Sequence, residues 1–243
     1  MNDHAPAMSV EQYDRGWETK WDDMKRHGPM SRHIRRLIMN AIGPLSFKDV
    51  LDVGCGQGSL LADLVDEFAH IKPYGTDISQ SGLELARQKV PTGTFSILDL
   101  AAARLDRTFD LVICSEVLEH IPDDIAAIRN LAAMTGRYLV VTTVQGRMRR
   151  FEAGEVGHVR NYAYGELIQK LQGSGLKISR TIEWGFPFYS PLYRDLLDVM
   201  GGQGTTGEFG PIRKSLSTIL YWLFMLNSWT RGDEIVVVAE KAA

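Results

Sequence analysis

Cysteine is nearly absent: Cys55 and Cys114 are the two in 243 residues. Neither belongs to a CxxC or a Cys/His ligand spacing, which excludes a disulfide framework and leaves no metal signature, so no metal is assigned. Both read as reduced and buried, Cys55 as small-residue packing in a turn and Cys114 as core filling. An excess of one charge is also missing. The net charge of -3 and pI near 6.1 offer no general attraction for nucleic acid, and no nucleic-acid partner is expected. Arg147, Arg149 and Arg150 form the one local basic patch that keeps such contact open. No apolar run reaches the roughly 20 residues that span a bilayer. The opening MNDHAPAMSVEQYD lacks a basic region followed by an apolar one, so no secretory leader is read and a cytoplasmic location is expected. Internal repeats and low-complexity tracts are absent, and a hydrophobic fraction of 44% with 23% charged residues excludes a disordered or fibrous chain.

What is present is alternation. Short Val/Ile/Leu-rich or aromatic runs at Asp49–Val53, Lys72–Thr76, Gly93–Leu98, Phe109–Cys114 and Tyr138–Thr143 are strand-like, with helical stretches between them. That order implies α/β architecture with a parallel sheet. A helix over Tyr164–Gln172, a strand over Leu176–Trp184 and a closing strand over Glu234–Ala239 follow, the two strands forming an antiparallel edge. Val10–Ile42 reads as helical, interrupted by Gly28 and Pro29. Residues 1–243 are read as one domain, with an N-terminal helical cap at 10–42, a core at 49–143 and an acceptor-side cap with closing strands at 144–243. MGGQGTTGEFGP, from Met200 to Pro211, is glycine-rich and expected to be a mobile loop. Leu216–Trp229 is the most apolar stretch and is expected to be a buried helix. Its aromatics also suit a lid over an apolar acceptor, or a shallow membrane or dimer contact.

The sharpest motif is VLDVGCGQGSLLADL, Val50 to Leu64, where a buried strand runs through glycines into a helix. Gly54, Gly56 and Gly58 permit a tight turn and close ligand approach, and the helix offers unpaired N–H groups nearby. A dinucleotide site needs GxGxxG; here GCGQG is followed by Ser59 and Leu60, and Asp52 precedes the first glycine. YGTDIS places Asp77 at the end of the second strand, where a carboxylate accepts from ribose hydroxyls in either kind of cofactor. Asp99 follows the third strand in FSILDL, within reach of an adenine amino group. Three carboxylates repel a pyrophosphate and suit a cationic sulfonium carrying an ammonium.

Through LDVGCGQG, GTDIS, ILDL and FDLVICSEVLEHIPD the chain resembles the class I S-adenosylmethionine-dependent methyltransferases, over roughly Val50–Thr143, with weaker likeness through GHVRNYAYGELIQKLQGSGLKI. The resemblance implies a Rossmann-like, seven-stranded, mainly parallel sheet with helices on both faces, an N-terminal helical cap and a C-terminal cap inserted before the last strand. It implies S-adenosyl-L-methionine as cofactor and S-adenosyl-L-homocysteine as product. Asp52, Gly54, Cys55, Gly56 and Gly58 would hold the methionine part and Asp77 the ribose. Ile78, Leu98, Asp99 and Leu100 would frame the adenine, and Ser115 and Glu116 would line the same cleft.

Methyl transfer from a sulfonium is an in-line displacement that rests on positioning in a dry cleft; a base is needed only for a neutral hydroxyl or amine acceptor. His120, in VLEHIPD, and His158, in EVGHVRNY, are the candidate bases. Arg160 is read as partner to an anionic acceptor, with Tyr162 beside it. Tyr13, Trp17 and Trp21 recur every four residues on one helix face; core packing is one reading, and closure of Tyr13 and Trp17 over the cofactor the other. Phe186, Phe188 and Tyr189 are read as an acceptor-pocket wall or a rigid aromatic turn. The expected activity is methylation of a small-molecule acceptor, with O-methylation of a sugar or lipid-linked intermediate favoured, by a monomer or homodimer without a transmembrane segment but open to peripheral membrane contact. A non-catalytic cofactor-binding or membrane module and an NAD-dependent oxidoreductase are the alternatives.

Overall fold

Apolar runs of strand length can bury both faces only when helices cover the sheet on each side. In the computed structural model, which describes residues 7–68, 70–203 and 206–241, the chain folds in that way. The opening six residues read for a leader, and Gly204 and Thr205 of the glycine-rich loop, lie outside the described residues. The strands are β1 (Asp49–Val53), β2 (Lys72–Asp77), β3 (Thr94–Ile97), β4 (Phe109–Ser115), β5 (Thr135–Val144), β6 (Leu176–Trp184) and β7 (Glu234–Lys241). Their order is β3-β2-β1-β4-β5-β7-β6, and β7 runs antiparallel to both its neighbours. β1 lies between β2 and β4, so the sheet reverses its winding there and opens a crevice at the strand ends.

Side-chain alternation divides the core in two. Val112 and Cys114 of β4 face one apolar cluster, packed under α6 (Asp124–Met134) and α7 (Glu166–Gly173). Leu111 and Ile113 face the other, covered by α3 (Pro29–Ile42), α4 (Ser59–Glu67) and α5 (Gln80–Lys89). The N-terminal cap begins with α1 (Val10–Thr19), opened by a capping box in which Gln12 Oε1 accepts the Ser9 N–H at 2.7 Å. α2 (Asp22–His27) follows, and α3 starts at Pro29 after Gly28, the interruption read in the sequence.

Between β6 and β7 lie α8 (Arg194–Val199) and α9 (Pro211–Phe224). Two expectations are corrected here. Leu216–Trp229 is helical only as far as Phe224, and it is not buried: α9 leans on α2 and α3 by one side, with Ser217 and Phe224 inside and Leu216, Ile219 and Trp222 outside. Partners on one side hide only one stripe of a helix. The second half of the glycine-rich loop is anchored, its Gly207 N–H donating to Lys20 O at 2.8 Å and its Phe209 N–H to Asp23 at 2.8 Å. In the arginine patch Arg147 and Arg150 stay exposed, beside Asp195 and Asp198, while Arg149 turns inward. Arg149 is buried between Asp195 and Asp233, Arg147 pairs with Asp195, and Arg194 bridges Glu152 and Asp233.

Candidate active site

At the end of β1 the chain turns through three glycines with positive φ, Gly54 at 75°, Gly56 at 51° and Gly58 at 78°. Gly54 and Cys55 donate their N–H groups to Thr76 O at 2.7 and 2.9 Å, tying the turn to β2. A Cβ on Gly56 would stand 2.2 Å from the Trp17 ring, so only glycine fits beneath that aromatic. Gly58 caps α4 and packs on Ala86; it shapes the turn without lining the cleft.

The turn opens on a cleft of about 430 Å³. Asp52, Gly54, Cys55, Gly56, Asp77, Ile78, Leu98, Asp99, Leu100, Ser115, Glu116, Tyr13, Trp17 and His120 all line it. Asp77 accepts the Gly56 N–H at 2.8 Å through one carboxylate oxygen and the Ser79 N–H at 2.9 Å through the other. That fixes the carboxylate plane and leaves lone pairs turned to the cleft. Burial and the Asp77 charge raise Asp52 to about 7, and burial also raises Asp77. Lys25, which lines the same cleft, lowers both, as a cationic ligand would. Two buried acids below a glycine cradle fit an ammonium and sulfonium ligand and repel a pyrophosphate.

α1 forms the roof. Asp14 accepts the Ser79 hydroxyl at 2.5 Å and the Ser81 N–H at 3.0 Å, stapling α1 to the start of α5. Trp17 and Trp21 meet edge-on with ring centroids 5.4 Å apart, and Tyr13 contacts Trp21 at 5.8 Å. The two readings of these aromatics merge, because each packs on its neighbours and lines the cleft.

Beyond β4, Glu116 holds φ at 56°, and its carboxylate accepts the Thr142 hydroxyl at 2.9 Å. Burial and Glu119 raise it to about 7. Glu119 is fully buried, accepts the Thr143 hydroxyl at 2.8 Å and is also raised to about 7, chiefly by burial. His120 pairs through Nδ1 with Gly157 O at 3.1 Å, and burial lowers it to about 4. His158, the other candidate base, does not line the cleft and sits behind its wall. It packs against His120 with centroids 4.9 Å apart, and burial lowers it to about 3. Glu119, His120 and His158 bring one ligand atom each to within 4.8 Å of one another, a grouping among the described residues that could hold a metal ion.

The proposed acceptor residues do not line the cleft, because each is committed elsewhere. Arg160 reaches the carbonyls of Leu118, Ile121 and Pro122 and clamps the segment that carries His120. Tyr162 is buried and donates to Asp124 at 2.8 Å. Phe186 lies under Arg231, while Phe188 and Tyr189 pack in the core around Trp184 and Phe224. Sequence reasoning missed Met8, Met24, Lys25, Ile34, Phe151 and Val156, which complete the cleft wall. They come from separated segments, so no local spacing marks them.

The family described as "Methyltransferase domain" matches residues 24–181. A ubiquinone biosynthesis O-methyltransferase of Vibrio parahaemolyticus is 32% identical over 155 residues, covering 60% of this chain and 65% of that protein, so the chain spans just under two thirds of that relative. Among solved structures, the N-methyltransferase NodS of Bradyrhizobium japonicum, in complex with S-adenosyl-L-homocysteine, has a TM-score of 0.63 at 14% identity, covering 96% of this chain and 98% of that one. The [4+2]-cyclase SpnF has a TM-score of 0.64 at 16% identity, covering 99% and 100%. Those two likenesses establish the fold alone. With the strand order, the glycine turn and the family match together, this chain belongs to the methyltransferase-domain family and is a class I S-adenosylmethionine-dependent methyltransferase.

Proposed function

We propose that the protein transfers the methyl group of S-adenosylmethionine to a hydroxyl oxygen of a small, largely apolar acceptor such as a lipid-linked or sugar-bearing intermediate. The observation that carries this reading is the cleft itself. Its floor holds Asp52 and Asp77 for the cation, and Met8, Trp21, Met24, Ile34, Phe151 and Val156 give it a broad apolar wall, into which Lys25, Ser31, Arg35 and Glu155 also reach. The O-methylating relative supports the choice of oxygen.

In this reading Asp52 binds the ammonium, Asp77 the ribose, and Asp99 with Ile78, Leu98 and Leu100 the adenine. Held there, S-adenosylmethionine would supply an electrophilic methyl group and leave as S-adenosylhomocysteine once an acceptor hydroxyl had taken it; Glu116 and His120, which line the same cleft, would orient that hydroxyl. The hydroxyl proton passes to a cleft base. His120 is held low by burial, so it is neutral and presents Nε2 as a hydrogen-bond acceptor; Glu116, raised to about 7, is better matched to take the proton near neutral pH.

An acceptor panel of hydroxylated lipids, sugars, proteins and nucleic acids, assayed by methyl transfer, tests the reading. Turnover of a small hydroxylated acceptor, with kcat falling roughly 10²-fold or more in Glu116→Gln, is expected. Methylation of protein or nucleic acid alone overturns it.

A further inference from the structure

The cap carries a second surface that methyl transfer does not use. α9 is fastened by one side: Ser217 donates to His27 O, the Tyr221 ring stacks on His33 at 4.4 Å, and Phe224 is buried. The opposite side is apolar and uncovered. Ile212 is 79% exposed, Ile219 63%, Trp222 65% and Leu226 69%, with Leu216 between them. These positions recur every three or four residues, so they form one stripe along the helix and into the turn that follows it at Leu226. A stripe of that size marks an interaction surface.

The charge around it selects the partner. From Phe209 to Arg231 there is no Asp or Glu, whereas Arg213, Lys214 and Arg231 are basic. Arg213 and Lys214 stand in the first turn of α9, where the helix dipole already carries positive charge. In a symmetric pair the same patch supplies both faces, and from Phe209 to Arg231 it has no carboxylate to meet Lys214 of a second copy. Anionic phosphates above an acyl phase complement both features. With 14 residues the helix is about 21 Å long, too short to cross a bilayer, and no helix among the described residues is long and apolar enough to do so.

We infer that α9 docks the protein on an anionic lipid bilayer, lying in the interfacial plane with Ile212, Leu216, Ile219, Trp222 and Leu226 against the acyl boundary and Lys214 among the phosphates. Because α2 and α3 carry α9 outside and line the cleft inside, docking sets the roof of the cleft against the membrane. This holds whether or not the acceptor is itself a lipid.

Flotation tests it with vesicles of phosphatidylcholine alone and with about one third phosphatidylglycerol. Wild type is compared with Ile219→Glu/Trp222→Glu and Lys214→Glu. All three positions are exposed, and S-adenosylmethionine titration with thermal melting on the same samples verifies that each variant is folded. Wild type is expected to float with the anionic vesicles, the double variant to partition roughly tenfold less or weaker, and Lys214→Glu to lose a few-fold at low salt. Absence of wild-type flotation, or equal flotation of the folded double variant, overturns the inference. A dimer in light scattering that the double variant dissolves, with no vesicle binding, assigns the stripe to a second copy and overturns it equally.

Discussion

The floor and the roof of the cleft are built on different terms. The floor consists of strand ends: Asp52, Asp77, Asp99 and Glu116 follow or close β1 to β4, and the parallel register fixes their spacing once the strands pair. The roof gathers Tyr13, Trp17, Met24, Ile34, Phe151 and Val156 from segments that touch only after the caps pack. A floor set by backbone topology binds what is common to the family, while a roof set by tertiary contacts can differ from member to member. The contrast can be broken or sharpened by substitution.

The largest expected effect is on the frame of the acceptor side. Arg194→Ala leaves Glu152 buried without its cation and Asp233 with Arg149 alone, so stability should fall by about 3–5 kcal/mol, read as a drop in Tm. A change near zero would mean that this network does not hold the roof. Next comes the cradle: Gly56→Val drives a side chain into Trp17 at a positive φ, and cofactor affinity should drop by about 1–3 kcal/mol, measured by calorimetry. An unchanged affinity would uncouple Trp17 from the cofactor.

Protonation gives a smaller effect. Asp52 must be ionised to hold an ammonium, and in the free protein burial raises it to about 7. A raised carboxylate favours the protonated protein up to that pH, so affinity for a cation is lost below it and gained above it. The Kd for S-adenosylmethionine should tighten about tenfold from about pH 6 to about pH 8 and lie flat in Asp52→Asn. The smallest expected change separates a residue that the sequence assigned to the acceptor from one that lines the cleft: Tyr162→Phe should cost about 1 kcal/mol through the lost bond to Asp124 and leave the acceptor KM unchanged. Met24→Ala should instead raise that KM, because Met24 faces the cleft.

The same contrast explains what was legible. β1 and β6 begin and end where the sequence placed them, because each is a short apolar run closed by turn residues. Of the fourteen residues read as cofactor-binding, Gly58 alone falls outside the lining, since its backbone turns while its α-carbon faces Ala86. The acceptor side was less legible. Tyr162, Phe188 and Tyr189 are the right residue types in a suitable region, yet core burial claims aromatic rings as readily as a pocket does. His158 lies beside His120 only through a loop held by Glu119 O and Glu152 O, a long-range arrangement with no local signal. The exposure of α9 was equally hidden, because an apolar run states what a helix can bury and not whether a partner is present.

The central claim is that the floor of the cleft is a site for a cationic sulfonium cofactor positioned by Asp77. Calorimetric titration of wild type and Asp77→Ala with S-adenosylmethionine, and separately with NAD, tests it most directly. Micromolar-range binding of S-adenosylmethionine alone, weakened at least about 100-fold in the variant, is the expected result. Binding that survives the substitution, or a preference for NAD, would contradict it.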